Sequence, residues 1–280
     1  YHAKNAGRNN FQFFDEKMNS AALERLSIEH ALRQALSREE FRLHFQPVID
    51  VASGRVAGVE ALIRWQHPDK GLLAPGRFIG IAEETGLIQP IGEWVFWAAC
   101  RQLAEFNALG LTGICMGINI SAIQMRNGNL PILARGAIEA YGLNPGQLVF
   151  EITESVAMEQ PAETIRILDI LHDMGIRLAI DDFGTGYSSL AYLRMFPIDH
   201  LKLDRSFVEE IGQTSDGSVI CDATIGLAHN LQLKIVGEGV ETAEQLDYLK
   251  AQGCDLVQGY LFSRPLPADA VIEFIRQRNP

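Results

Sequence analysis

Carboxylates and amides recur at the tips of short apolar runs along this chain. Val56-Ala57-Gly58-Val59 leads into Glu60, Met116-Gly117-Ile118 into Asn119, and Leu148-Val149-Phe150 into Glu151. Leu178-Ala179-Ile180 ends in the pair Asp181-Asp182, and Leu201-Lys202-Leu203 carries a lysine and ends in Asp204. Lys234-Ile235-Val236-Gly237 ends in Glu238, and Leu256-Val257 in Gln258. A buried run of Val, Ile and Leu has no use for a charge at its tip. Acids gathered on one rim repel one another unless something positive sits among them. An oxygen-rich group of this kind suits hard divalent cations.

The elements that must position these residues follow from periodicity. Strands are predicted at Phe41–Ile49, Arg55–Ile63, Cys115–Ser121, Gln147–Thr153, Arg177–Phe183, His200–Phe207, Leu233–Val240 and Asp255–Phe262. Helices are predicted between most of them, at Ile91–Leu109, Leu130–Tyr141, Ala162–Met174, Val219–Asn230 and Ala243–Gln252. Only Asp50–Gly54 separates the first two strands, so they should pair antiparallel as a hairpin. The later alternation needs a parallel sheet. Eight strands with helices between them predict an α/β fold, a modified (β/α)8 TIM-type barrel with an antiparallel first strand. In such barrels the reactive face lies at the C-terminal ends of the strands, where the polar residues above fall.

Composition narrows the function. The hydrophobic fraction of 47% supports a sizeable core, and no apolar run approaches the ~20 residues of a membrane span. No secretory leader is read at the start, so a cytoplasmic domain is expected, with membrane anchoring of a longer parent left open. The net charge of −11 argues against nucleic-acid polymers as partners, and no membrane contact by this segment is expected. An anionic small ligand remains compatible where a metal reverses the local sign. Cys100, Cys115, Cys221 and Cys254 form no CxxC pair and read as reduced structural thiols. His67, His172 and His229 follow no metal-ligand spacing.

The run Glu60-Ala61-Leu62-Ile63-Arg64-Trp65 resembles the signature of the EAL family of cyclic di-GMP phosphodiesterases. The resemblance continues through Gln46-Pro47, Asn119-Ile120-Ser121, Glu151-Ile152-Thr153-Glu154 and Asp181-Asp182-Phe183-Gly184-Thr185-Gly186. It ends with Lys202-Leu203-Asp204, Glu238-Gly239-Val240-Glu241 and Gln258-Gly259-Tyr260. It implies hydrolysis of cyclic di-GMP to linear pGpG, with Mg²⁺ or Mn²⁺ as cofactor, two ions per site about 3.5–4 Å apart. By resemblance, Glu60, Asn119, Glu151 and Asp181 hold one ion, Asp181 bridges to a second near Asp182, and Glu238 holds the second ion or its water. Lys202 is expected beside the attacking water, so the catalytic set is Lys202, Glu238, Glu60 and Asp181. Arg64, on the same strand face as Glu60, is expected to grip a phosphate through its donor fork. Gln46, Asp204 and Gln258 complete the ligand contacts, and Glu154 is expected to hold the glycine-bearing loop after Asp182.

Residues 1–14 resemble the end of a GGDEF diguanylate cyclase domain, residues 15–40 read as an interdomain linker helix, and residues 41–280 as the phosphodiesterase domain. The partners expected are cyclic di-GMP, an upstream GGDEF domain and sensory domains of the same polypeptide, and a second copy in a homodimer. Plainer roles compete residue by residue: Asp204 as a structural group, Glu241 as a helix cap, the glycines of 184 and 186 as a simple turn. Two other functions fit the pattern. One is a nucleotide receptor with vestigial chemistry. The other is a Mg²⁺-dependent barrel enzyme of enolising type with Lys202 as base. Gly80 and Gly237 depart from many relatives, and Gly237 is expected to loosen Glu238.

Overall fold

The computed structural model describes residues 16–186, 190–212 and 215–279. Asp50 and Ser53 start the folding logic of the barrel. The Asp50 carboxylate accepts a hydrogen bond from the Ser53 amide at 2.8 Å, and Gly54 takes a φ of 69°. This turn reverses β1 (Phe41–Asp50) onto β2 (Val56–His67), in a register running from Phe41 opposite Trp65 to Ile49 opposite Val56. β2 runs four residues beyond its predicted end, because a short β3 (Gly71–Leu73) folds back on Trp65–His67.

Parallel strands follow: β4 (Cys115–Asn119), β5 (Leu148–Thr153), β6 (Arg177–Phe183), β7 (His200–Leu203), β8 (Lys234–Gly237) and β9 (Leu256–Val257). They are ordered β2-β4-β5-β6-β7-β8-β9, and β1 closes the ring by pairing with both β9 and β2. The barrel therefore has eight strands, and β1 is antiparallel to both of its neighbours. Helices cover the outside at Ile88–Ala108, Leu130–Tyr141, Pro161–Asp173, Ser215–Asn230, Ala243–Ala251 and Ala268–Arg278. Their inner faces bury Phe96, Leu103, Ala134, Leu168, Ile225 and Leu249 against the strands.

Two sequence expectations need correction here. β7 stops at Leu203 rather than Phe207, because Asp204 caps a short helix at Arg205–Glu209. The last strand has two residues rather than eight, since the chain turns at Gly259, where a Cβ would collide with the Val240 backbone. The predicted linker helix spans Glu16–Ala35 and is docked, not free: Ile28, Leu32 and Ala35 are buried. Glu24 pairs with Lys70 at 3.3 Å and with Arg77, and Arg25 pairs with Glu84. Each fully buried Ile or Leu contributes about 1.5–3 kcal/mol, so this docking outweighs its exposed ion pairs. Residues 1–14, expected to be a cyclase remnant, lie outside the described residues.

Candidate active site

Strand alternation sends every second side chain into the barrel. Glu60 on β2, Glu151 on β5, Asp181 on β6 and Lys202 on β7 all point inward near the C-terminal ends, and all are buried. Glu238 follows β8 directly, and Gln258 follows β9. Lys202 Nζ lies 2.6 Å from Glu151 Oε2, 2.8 Å from Glu238 Oε1, 3.1 Å from Asp181 Oδ2 and 3.9 Å from Glu60 Oε2. Glu60 is further held from both sides. Asn119 Nδ2 donates to its Oε1 at 2.6 Å, and Gln258 Nε2 donates to its Oε2 at 2.6 Å. Gln258 Nε2 also reaches Gln46 Oε1 at 3.1 Å, and Gln46 is the register partner of Glu60 across β1 and β2.

Consecutive strand residues ordinarily face opposite sides, yet Asp181 and Asp182 meet at one site. The pairing of β6 with β7 shifts register between Ile180 and Phe183, and Asp182 takes a φ of 53°. That left-handed conformation costs a non-glycine residue about 1–3 kcal/mol, strain of the kind that clusters at active sites. It brings ligand oxygens of Asp181, Asp182 and Glu238 within 4.8 Å of one another. Gly117 is needed for space. A Cβ there would occupy the place of Glu151 Oε1.

Charge in this cluster is out of balance: five carboxylates face one buried ammonium. Burial opposes the Lys202 ammonium, but Asp181, Glu151, Glu238 and Glu60 hold its pKa well above that of an ordinary lysine. Burial pushes Glu151 up to about 8, against the pull of Lys202 and with help from Glu60 and Asp181. Glu238 is raised well above the carboxylate range by burial, again against Lys202. Asp182 is raised by burial and then by Asp181 and Asp204. Acids driven toward protonation in this way are a site short of positive charge, and hard cations would restore the balance. The donor set fits such ions: carboxylate oxygens, plus Asn119 as a neutral amide.

A family model described as the EAL domain matches residues 29–265. The chain belongs to the EAL domain family. It is 45% identical over 272 residues to the bifunctional diguanylate cyclase/cyclic di-GMP phosphodiesterase MucR of Pseudomonas aeruginosa, covering 97% of this chain and 40% of that protein. It is 45% identical over 276 residues to the cyclic di-GMP phosphodiesterase NbdA of the same organism, covering 99% of this chain and 35% of that one. The chain thus spans less than half the length of these two relatives. The solved structure of the PaMucR phosphodiesterase in complex with c-di-GMP superposes with a TM-score of 0.85 at 44% identity, covering 88% of this chain and 99% of that chain.

Within this EAL domain, the sequence-predicted residues separate into those at the centre and those at its edge. Glu60, Asn119, Glu151, Asp181, Asp182, Lys202, Glu238, Gln258 and Gln46 converge as described. Arg64 is half-buried, its Nη1 donating to the Ile63 carbonyl at 2.8 Å. It feels the charge of Glu60 and the Tyr260 hydroxyl, while burial lowers its pKa. Asp204 caps the short helix that follows it: its carboxylate accepts the Ser206 amide at 3.0 Å and the Ser206 hydroxyl, and its charge reaches Asp182. Glu154, 2% exposed, accepts the Gly184 amide at 2.9 Å and packs against Gly186, where a Cβ would lie 2.8 Å from its Oε1.

Sequence reasoning missed the pocket rim. A cavity of about 200 Å³ above the acids is lined by Leu62, Arg205, Gly239, Glu241 and Tyr260 as well as by predicted residues. Arg205 crosses the backbone at Gly239, where a Cβ would collide with it, and pairs with Glu241 at 3.2 Å. The next helix is capped by Thr242 and Gln245, not by Glu241. Arg264 stacks on the Tyr260 ring at 4.4 Å. The signal for Arg205 was present as a cation two residues from Leu203, and the predicted continuation of β7 hid it. At Gly237 a Cβ would press Leu249 at 2.9 Å, so the missing side chain allows close packing beneath Glu238.

Proposed function

We propose that this domain hydrolyses one phosphodiester bond of cyclic di-GMP to linear pGpG, ending a second-messenger signal. The observation that carries the reading is the convergence of Glu60, Glu151, Asp181 and Glu238 on Lys202 Nζ, within 2.6–3.9 Å, at the C-terminal mouth of the barrel. The names of MucR and NbdA support the same substrate.

Mg²⁺ or Mn²⁺, two ions per site, would be held by Glu60, Asn119, Glu151, Asp181, Asp182 and Glu238. Bound there, they would supply the positive charge that ionises water near neutral pH and offsets charge developing on the phosphoryl oxygens. The chain's own groups do the rest. Lys202, its ammonium favoured by the acids around it, polarises the attacking water, a role that suits hydrolysis better than the base an enolising enzyme would need. Gln258 and Asn119 fix the Glu60 carboxylate, which removes its rotational freedom before substrate arrives. Arg64, on the strand face of Glu60, offers its fork to a phosphate, and Arg205 and Tyr260 border the pocket above the acids.

The docked helix at Glu16–Ala35 serves as the link to an upstream GGDEF domain and sensory domains, and the working unit is a homodimer. The decisive test is incubation with cyclic di-GMP and either metal, followed by chromatography of the products. pGpG is expected. Intact nucleotide under both metals, with binding confirmed by calorimetry, would establish a receptor instead.

A further inference from the structure

A cavity of about 110 Å³ runs along the barrel axis beneath the acids. Its wall begins at Arg177 and Lys234, exposed at the N-terminal ends of β6 and β8, and rises to the buried Glu151, Lys202 and Gln258. The space exists because the interior layer between floor and acids is thin. Gly58, Gly117 and Ala179, on β2, β4 and β6, are the small residues of its wall, with Gly117 backed by Glu151 and Gly58 by the Cys115 backbone.

Two wall residues own buried polar atoms with no partner in the protein, His200 Nδ1 and Gln258 Oε1. The residues are 7% and 4% exposed. Both atoms are nearly closed off from any space as the side chains stand, and an unpaired buried polar atom costs about 1–3 kcal/mol, so a small local shift that lets a cavity water reach either one is favoured. A water needs roughly 10–15 Å³ of such volume and a few polar partners, which leaves room for several waters and for nothing near nucleotide size. Gln258 also lines the pocket at the opposite mouth, so it forms the partition between the two spaces.

We propose that the barrel axis is a second, hydrated entrance to the active centre, admitting water from the N-terminal mouth. The inference rests on the hydrolytic reading above. Each turnover consumes one water, and a cyclic dinucleotide bound over the acids would cover the pocket at the C-terminal mouth. With that side sealed by substrate, the axial cavity leaves the opposite side open.

Cys115 makes the idea testable. It is half-buried at the lower mouth, with Arg177 Nη1 donating to its Sγ at 3.4 Å, whereas Cys100, Cys221 and Cys254 are buried. Methyl methanethiosulfonate in alkaline buffer would add a small plug there, with mass spectrometry reporting its extent. The expected result is a several-fold fall in kcat at unchanged KM, reversed by dithiothreitol and absent in Cys115→Ser. Complete modification with unchanged kcat would overturn the proposal. A crystal structure gives the independent readout: ordered waters within hydrogen-bond distance of His200 Nδ1 and Gln258 Oε1 are expected, and a dry cavity would overturn it. Should the unmodified domain leave cyclic di-GMP intact, the hydrolytic reading fails, while the crystallographic waters still decide whether the axis is wet.

Discussion

Lys202 shares its three ammonium protons among Glu151, Asp181 and Glu238, all within 3.1 Å. Removing that charge leaves buried acids facing one another, and breaking a buried ionic set costs about 3–5 kcal/mol. Lys202→Met is therefore expected to lose that much stability to urea in metal-free buffer, and to lower turnover by about 10²–10³-fold. Turnover at the wild-type rate would refute the assignment. His200 gives a separate test through pH. Burial holds its imidazole down to about 4 from an ordinary 6.5. The folded state thus disfavours the proton that the unfolded chain accepts. Its contribution is whole above pH 6.5 and is lost as pH falls toward 4. By linkage, the stability difference between wild type and His200→Asn should narrow by about 2 kcal/mol between pH 8 and pH 5. Equal pH profiles for the two proteins would contradict it.

At the scale of elements, the loop after β6 hangs on one buried carboxylate. Glu154→Ala strips the Gly184 amide of its acceptor and leaves space beside Gly186. Faster subtilisin cleavage in the loop after Phe183 and several-fold lower turnover are expected, with the barrel's thermal transition little changed. Cleavage at the wild-type rate would remove Glu154 from its supporting role. The same elements show what the sequence made legible. Long amphipathic helices and buried strands announced themselves: Leu130–Tyr141 and Arg177–Phe183 fall where periodicity puts them. The one-turn helices at Ala122–Arg126, Glu154–Glu159 and Arg205–Glu209 did not, because five or six residues carry too little of a 3.6-residue repeat to read. Their caps were readable, since Ser121, Thr153 and Asp204 each accept a backbone amide. Strand tips gave the metal-ligand candidates because charge there has no other use. Rim residues such as Tyr260 and Arg205 looked like ordinary surface, since what brings them together is tertiary.

For the molecule as a whole, the acidic centre is a liability that cations relieve. An ion that binds the folded state alone adds about 2.7 kcal/mol of stability at a hundredfold excess over its Kd. Mg²⁺ or Mn²⁺ should therefore raise the urea midpoint, and chelation should return it. A midpoint indifferent to both would leave the cluster without its proposed ions. Among the described residues no helix is long and apolar enough to cross a membrane.

The reversed β1 has a mechanical consequence. Were it parallel to its neighbours, incoming chain would arrive at the floor of the barrel, far from the chemistry. Running downward instead, it starts beside Trp65 and passes Gln46 against Glu60 on its way. The helix that feeds it is clamped to Lys70, Arg77 and Glu84, on the catalytic side. A twist of that helix would reach the hairpin first at Trp65, opposite Phe41, and five register steps further on at the buried Glu60, opposite Gln46.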